Sequence, residues 1–215
     1  MTTSPTTIAN RALSELPSTR ITNIGANEKN ALECALQYGP ALAELLEAGE
    51  WSFATKRMVL TKLATNDRDG IWLYAYEIPD DMQTPLRMVE PPRGYAPTLL
   101  PGQTLAPLSR NEAITLPYDL SGSTFYANTD GVVLEYVVRQ PTPAGWTALF
   151  EKALVWKLAT LICMPIRQDR SLREKLEVES HYHTSRALAM DFNRNPQTYG
   201  DFTPDVIAYI DGGDY

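Results

Sequence analysis

GEWSFATKRMVL, residues 49–60, decides how this chain is divided. Gly49 breaks helices, and two large aromatics, Trp51 and Phe53, follow it among small residues. Lys56, Arg57 and the apolar run Met58–Val59–Leu60 come next. Before this stretch apolar residues recur at helical spacing; after it they fall into short β-favouring runs between turns. Trp51 and Phe53 alternate at strand spacing, which predicts both rings on one side and Ser52 facing out. Two such buried rings contribute on the order of 3–6 kcal/mol, enough to pin a β unit rigidly onto the end of a helical one.

Upstream, Ser4-Pro5-Thr6 starts a helix whose stripe is Ile8, Ala12, Leu13 and Leu16, and Pro17 stops it. Asn27 is the predicted cap of a second helix, with Asn30 in the capping-box position. Its apolar residues run from Ala31 to Leu46, with a kink at Pro40 and an end at Gly49. Downstream, Ile71–Ile78 reads as a strand that stops at Pro79. Residues 123–127 and 131–139, flanking Asp130-Gly131, read as a hairpin; Ser121-Gly122-Ser123 reads as a turn. Glu90–Pro117 holds many of the prolines and reads as a long loop.

Helical spacing returns at Pro143. Trp146, Leu149, Phe150, Ala153, Leu154, Leu158, Leu161 and Ile162 cover so much of the circumference that this helix should be central, with Pro165 as its end. Asp169 caps a last helix, Ser171 to about Phe192. Leu172, Leu176, His183, Ala187 and Met190 are expected on its apolar side, and its charged residues on a solvated face. The expected class is α+β, mainly α. Residues 1–50 and 143–192 form a helix bundle of two N-terminal and two C-terminal helices. Residues 51–142 form an inserted small antiparallel β domain with a proline-rich loop. Residues 193–215 form an extended C-terminal arm.

The chain has 215 residues, 44% hydrophobic and 21% charged, with a formal net charge of −7. The acidic balance excludes a protein that grips nucleic acid through its phosphates, though not one past which DNA travels. Cys34 and Cys163 lie in apolar helical patterns and read as buried free thiols of a reducing compartment, with a structural disulfide as the alternative. The N-terminus lacks the basic and apolar regions of a signal peptide, and no apolar run is long enough to span a membrane; a cytoplasmic origin is expected.

Chemistry is hard to find. His181 and His183 are the only histidines and point roughly 200° apart on a helix, so they cannot share a metal. One packed and one exposed histidine is the expected outcome. Asp80 and Asp81 form either a general-acid or metal pair or a solvated turn. Lys56, Arg57 and Arg87 could bind a phosphate or serve as ion-pair partners. No nucleophile elbow, phosphate-binding loop or Cys-x-x-Cys motif is present, so no catalytic, cofactor-binding or metal residue is assigned.

The segment IANRALSELPSTRITNIGANEKNALECALQYGPALAELLEAGEWSFATKRMVL (8–60) resembles the opening of the tail tubular protein A family, the head-to-tail adaptors of short-tailed bacteriophages. The matches are Asn10, Ala12, Leu13 and Leu16, then Ile21 and Ile24, then Leu45, Leu46, Trp51, Phe53, Ala54 and Arg57. WLYAYEIPDD (72–81) is similar to the family's strand leading into Leu-Pro-x-Asp, with Ile78 for Leu. VVLEYVVRQPTPAGWTALFEKALVWKLATLICMPI (132–166) is similar to its closing strand and buried helix. Residues 90–119 depart from the pattern. The resemblance implies a virion protein without enzymatic activity: a twelve-fold ring between portal and tail nozzle, with tail fibres as a further neighbour and DNA passing unbound through the lumen. Trp51, Phe53 and Arg57 are then the domain joint. Tyr199, Phe202, Ile207, Tyr209, Ile210 and Tyr215 of the arm are the expected portal contacts. The competing readings are a head-completion protein of a long-tailed phage and a small hydrolase using Asp80 and Asp81.

Overall fold

A computed structural model describes residues 4–90, 100–105 and 114–194. Two helices, α1 (Pro5–Glu15) and α2 (Lys29–Glu47), come first among the described residues, and two, α3 (Ala148–Arg167) and α4 (Arg170–Arg194), come last. Among the described residues between them lie the strands β1 (Thr55–Val59), β2 (Tyr74–Glu77), β3 (Met82–Val89), β4 (Thr115–Leu116), β5 (Tyr118–Ser121), β6 (Thr124–Ala127) and β7 (Val133–Val138). The class is α+β and mainly α.

Helix α3 is the centre of the bundle, with α1, α2 and α4 packed around it. Its buried residues, Phe150, Ala153, Leu154, Val155, Leu158, Ala159, Ile162 and Cys163 among them, spread over most of its circumference. Thr147 caps it, accepting from the Phe150 N–H at 3.1 Å. Pro165 does not end it: with one turn remaining the helix runs on to Arg167 and closes on a left-handed Gln168, whose N–H reaches the Met164 carbonyl. Nor does Asn27 cap α2. The cap is Glu28, without a side-chain bond, and the Asn30 amide instead reaches back to Ser18 and Thr19, tying α2 to the preceding loop. Asn10 brackets Ile21 in the same manner, donating to its carbonyl at 2.9 Å and accepting its N–H at 2.8 Å.

The strands form two sheets, β1-β7-β3-β4 and β2-β6-β5, all antiparallel. Leu60, Tyr76, Met88, Phe125, Leu134 and Tyr136 fill the space between them. The expected hairpin of β6 with β7 does not form. β6 turns back on β5 through Gly122-Ser123, where Gly122 has φ 59°, and residues 128–131 carry the chain into the other sheet. Val133, Leu134, Tyr136 and Val137 are buried on both faces of β7, which demands a central position between β1 and β3. The expected strand from Ile71 is also shorter, because Ile71 and Leu73 are exposed and the ladder begins at Tyr74.

Candidate functional site

The segment between α2 and β1 is not a strand at its start. The Ala54 and Thr55 N–H groups both donate to the Trp51 carbonyl at 3.0 Å, so residues 51–54 form a turn and β1 begins at Thr55. The turn nevertheless brings the two rings together. Trp51 meets Phe53 at 5.9 Å between centroids and Phe150 edge-on at 4.9 Å; Phe53 meets Phe150 at 4.7 Å and Trp146 meets it at 5.2 Å. Helix α3 thus supplies the ring that the other three surround, and Val137 of β7 joins the same core. The buried Trp51 indole donates to the Leu45 carbonyl at 2.8 Å, filling an acceptor in the last turn of α2.

Ser52 does not simply face out. Its N–H and hydroxyl both donate to the Asp191 carboxylate, at 2.6 and 2.8 Å. Asp191 is buried near the C-terminal end of α4, where the helix dipole disfavours an acid, and these two bonds offset that cost. Met190, expected on the apolar side, is exposed, and Asp191 takes the inward position instead. Gly49 has a packing reason rather than a conformational one: a Cβ there would lie 2.6 Å from a Leu188 methyl of α4. The joint is therefore a three-way seam of α2, α4 and the turn, closed over by Phe150.

Arg57 sits one step along β1, outside the aromatic cluster. On one face of the larger sheet Arg57, Glu135 and Arg87 stand in a cross-strand row. Arg87 Nε donates to Glu135 at 2.6 Å. Arg57 Nε lies 3.4 Å from the same oxygen, close enough for charge attraction, but none of the three Arg57 nitrogens has a hydrogen-bond partner, although the residue is only 3% exposed. Burial holds the Arg57 pKa below its usual value against the opposing pull of Glu135. Buried Arg57 and half-buried Arg87 share one carboxylate, so these residues form an ion cluster instead of a phosphate site.

An open groove of about 590 Å³ runs beside the joint between Phe53, Lys56, Asp80, Asp81, Arg139 and Gly145. The two acids in it are not a matched pair. Asp81 accepts from Lys56 Nζ at 2.8 Å and from the Tyr136 hydroxyl at 2.7 Å. Burial pushes its carboxyl up, and those two bonds outweigh burial and hold it below the usual range. Tyr136 is driven up by its own burial and by the same carboxylate. A lowered acid beside a raised phenol is the pattern of a structural bond, and neither group is poised to exchange protons near neutrality.

His183 is buried and stacked on Trp156 at 5.4 Å, while His181 is exposed. Cys34 and Cys163 are buried free thiols, and burial raises Cys34 to about 11. Among the described residues no group of three or more His, Cys, Asp or Glu could hold a metal ion, and no helix is long and apolar enough to cross a membrane. Tyr199, Phe202, Ile207, Tyr209, Ile210 and Tyr215 lie outside the described residues, as do 91–99 and 106–113 of the proline-rich segment. Asp191 escaped the sequence reading, though one signal was present: an acid continuing the inward series Leu176, Ser180, His183 and Ala187 at an unfavourable helix end. No protein-family model matches this chain, and no curated protein matches it.

Proposed function

We propose that this chain is a structural head-to-tail adaptor of a short-tailed bacteriophage, without enzymatic activity. Copies form a ring, twelve-fold on the family resemblance, between the portal and the tail nozzle, and DNA passes through the lumen unbound. Its place is the virion neck, after synthesis in the host cytoplasm. The observation that carries this reading is the joint. Trp51, Phe53, Trp146 and Phe150 pack where the helical bundle meets β7, whose Val137 enters the same core, and the Ser52–Asp191 clamp ties α4 to the same point. A connector needs two separate surfaces held at a fixed angle, and this construction supplies them. The best-placed ionisable groups, Asp81, Lys56, Tyr136, Arg87 and Glu135, are committed to internal bonds, which supports a structural role over a hydrolytic one.

In this reading the arm, with Tyr199, Phe202, Ile207, Tyr209, Ile210 and Tyr215, docks on the portal, and its four aspartates keep it soluble beforehand. The test is to mix the full chain, and the chain lacking residues 195–215, with portal rings of the same phage and image the products by cryo-EM. A ring of the full chain seated on the portal is the expected result. The truncated chain should keep its melting temperature and fail to join. Absence of any complex with the full chain overturns the adaptor reading, and a truncated chain that still joins overturns the role of the arm.

A further inference from the structure

The turn before β2 is held at both ends and open in the middle. The Ile71 and Trp72 N–H groups both donate to the Arg68 carbonyl at 3.1 Å, which closes a β-turn with Asp69 and Gly70 as its central pair. Gly70 has φ 99°, a conformation that favours glycine. Arg68 anchors one end: its guanidinium binds Asp119 and, at 2.8 Å, the Ser121 hydroxyl, and it lies 4.8 Å from the centre of the Tyr126 ring. At the other end the Asn66 amide donates to the Trp72 carbonyl, and the Asn128 side chain accepts the Leu73 N–H at 3.0 Å. Between these anchors Asp69 and Gly70 are exposed. Neither the Asp69 carboxylate nor the Gly70 N–H has a hydrogen-bond partner.

In an Asp-Gly pair the main-chain nitrogen can reach the preceding side chain, because glycine has no Cβ to obstruct the approach. A second such pair, Asp130-Gly131, lies in the turn between β6 and β7, and a third, Asp211-Gly212, lies outside the described residues. Asp130 and Gly131 are exposed as well, so exposure does not separate the two described pairs. What separates them is the hold on the main chain. The Gly131 and Val132 N–H groups lie against the Tyr76 hydroxyl, restraining a pKa that burial raises to about 12. The same hydroxyl donates to the Thr129 carbonyl at 2.7 Å, so one buried phenol grips the peptide on each side of Asp130. The Asp130 carboxylate is paired with Lys62 Nζ at 3.4 Å.

We infer that Asp69 is a site of spontaneous covalent modification, the conversion of aspartate to isoaspartate through a cyclic imide, and that Asp130 is protected from it. The Gly70 nitrogen adds to the Asp69 side-chain carboxyl carbon. A C–N bond forms, and the carboxyl oxygen leaves as water with the proton from that nitrogen. Water then adds back and breaks one of the two imide C–N bonds. Breaking the bond to the side-chain carbon restores aspartate. Breaking the bond to the main-chain carbon leaves the chain running through the side chain, with a free carboxylate beside it. Water is the only co-reactant. The attack requires rotation about the Asp69 Cα–C bond, which disturbs only the two N–H groups on the Arg68 carbonyl. At Asp130 the same rotation must pull the chain from the Tyr76 hydroxyl. Isoaspartate lengthens the main chain by one carbon. With Arg68 and Trp72 anchored, that length is absorbed between them and reshapes the surface at Ile71, which is 74% exposed.

The inference is independent of the adaptor reading. The test is to hold the full-length protein warm at neutral pH, digest samples at intervals, and follow the peptides of both described Asp-Gly pairs by mass spectrometry. The imide is read as a peptide one water lighter. Isoaspartate is read as resistance to an endoproteinase specific for aspartyl bonds, together with labelling by an isoaspartyl methyltransferase. In the folded protein, product should accumulate at Asp69 several-fold faster than at Asp130. In guanidinium chloride, where both turns are lost, the two rates should converge, since each aspartate precedes a glycine. Asp69→Glu should remove the signal at that position without lowering the melting temperature, because the larger imide ring closes far more slowly. Tyr76→Phe keeps the buried ring and frees the Gly131 N–H; it should raise the rate at Asp130 several-fold and leave that at Asp69 unchanged. Equal rates at the two sites in folded wild type, or a faster rate at Asp130, overturn the inference. So does an Asp69 that reacts only in guanidinium chloride. An Asp130 rate unmoved in folded Tyr76→Phe overturns the protection by the phenol.

Discussion

Replacing Trp51 with alanine tests the joint most directly. The indole is fully buried, with Phe150 and Phe53 rings at 4.9 and 5.9 Å and its N–H on the Leu45 carbonyl at 2.8 Å. Truncating a buried aromatic costs about 3–5 kcal/mol. The lost hydrogen bond is worth about 1 kcal/mol, but the Leu45 carbonyl keeps a second donor, Ala48 N–H at 3.3 Å, and is not orphaned. The total therefore stays in the range set by truncation, and for a chain of this length the melting temperature should fall by roughly 6–20 °C. Phe53 is half-buried, so Phe53→Ala should cost about half as much, less than the equal effect its sequence position suggests. Trp51→Phe keeps a ring and loses the hydrogen bond, for about 1–2 kcal/mol. Calorimetry with far-UV circular dichroism gives the ranking. Should Trp51→Ala shift the midpoint by less than about 2 °C, or Phe53→Ala shift it further than Trp51→Ala, the joint is not where the two modules are held.

Other expectations follow from the same contacts. Arg57→Met should be neutral or stabilising by about 1–2 kcal/mol in chemical denaturation, because it removes a buried cation whose three nitrogens make no hydrogen bond and leaves Glu135 bound to Arg87. Glu135→Ala should cost about 3 kcal/mol, since the buried Arg57 guanidinium loses its carboxylate while Arg87, half-buried, can turn to solvent. Asp191→Ala should cost about 2–3 kcal/mol by urea midpoint, with Asp191→Asn intermediate because its amide oxygen can still accept one bond from Ser52. Burial, reinforced by Lys152, lowers the His183 pKa, so the unfolded chain binds the proton more readily. That contribution is fully present above about pH 6.5 and is lost as pH falls through the lowered folded value. Melting temperatures of wild type and His183→Gln measured from about pH 7.5 to 5.5 should converge toward the acid end.

Local order was legible in the sequence wherever one residue type imposes one geometry on its near neighbours. Ser4, Thr147 and Asp169 cap their helices through bonds spanning three residues, and the apolar density of 146–162 marks a central helix without reference to any partner. The division at residues 49–60 is of the same kind, since it rests on a change of period that the chain carries within itself. Strand partners are another matter. The turns at Gly122 and at Gly131 both have positive φ, and both could close a hairpin; only the first does, because β7 is apolar on both faces and is stable only between two strands distant in sequence. Arg57 looked like a joint residue and Asp191 like part of a solvated face. Each meets partners far along the chain, Arg57 in a row with Glu135 and Arg87 and Asp191 against Ser52. Covalent spacing determines which face of a helix or strand a residue occupies; what that face meets is decided when distant segments pack, and so tertiary structure alone assigned these charges their partners.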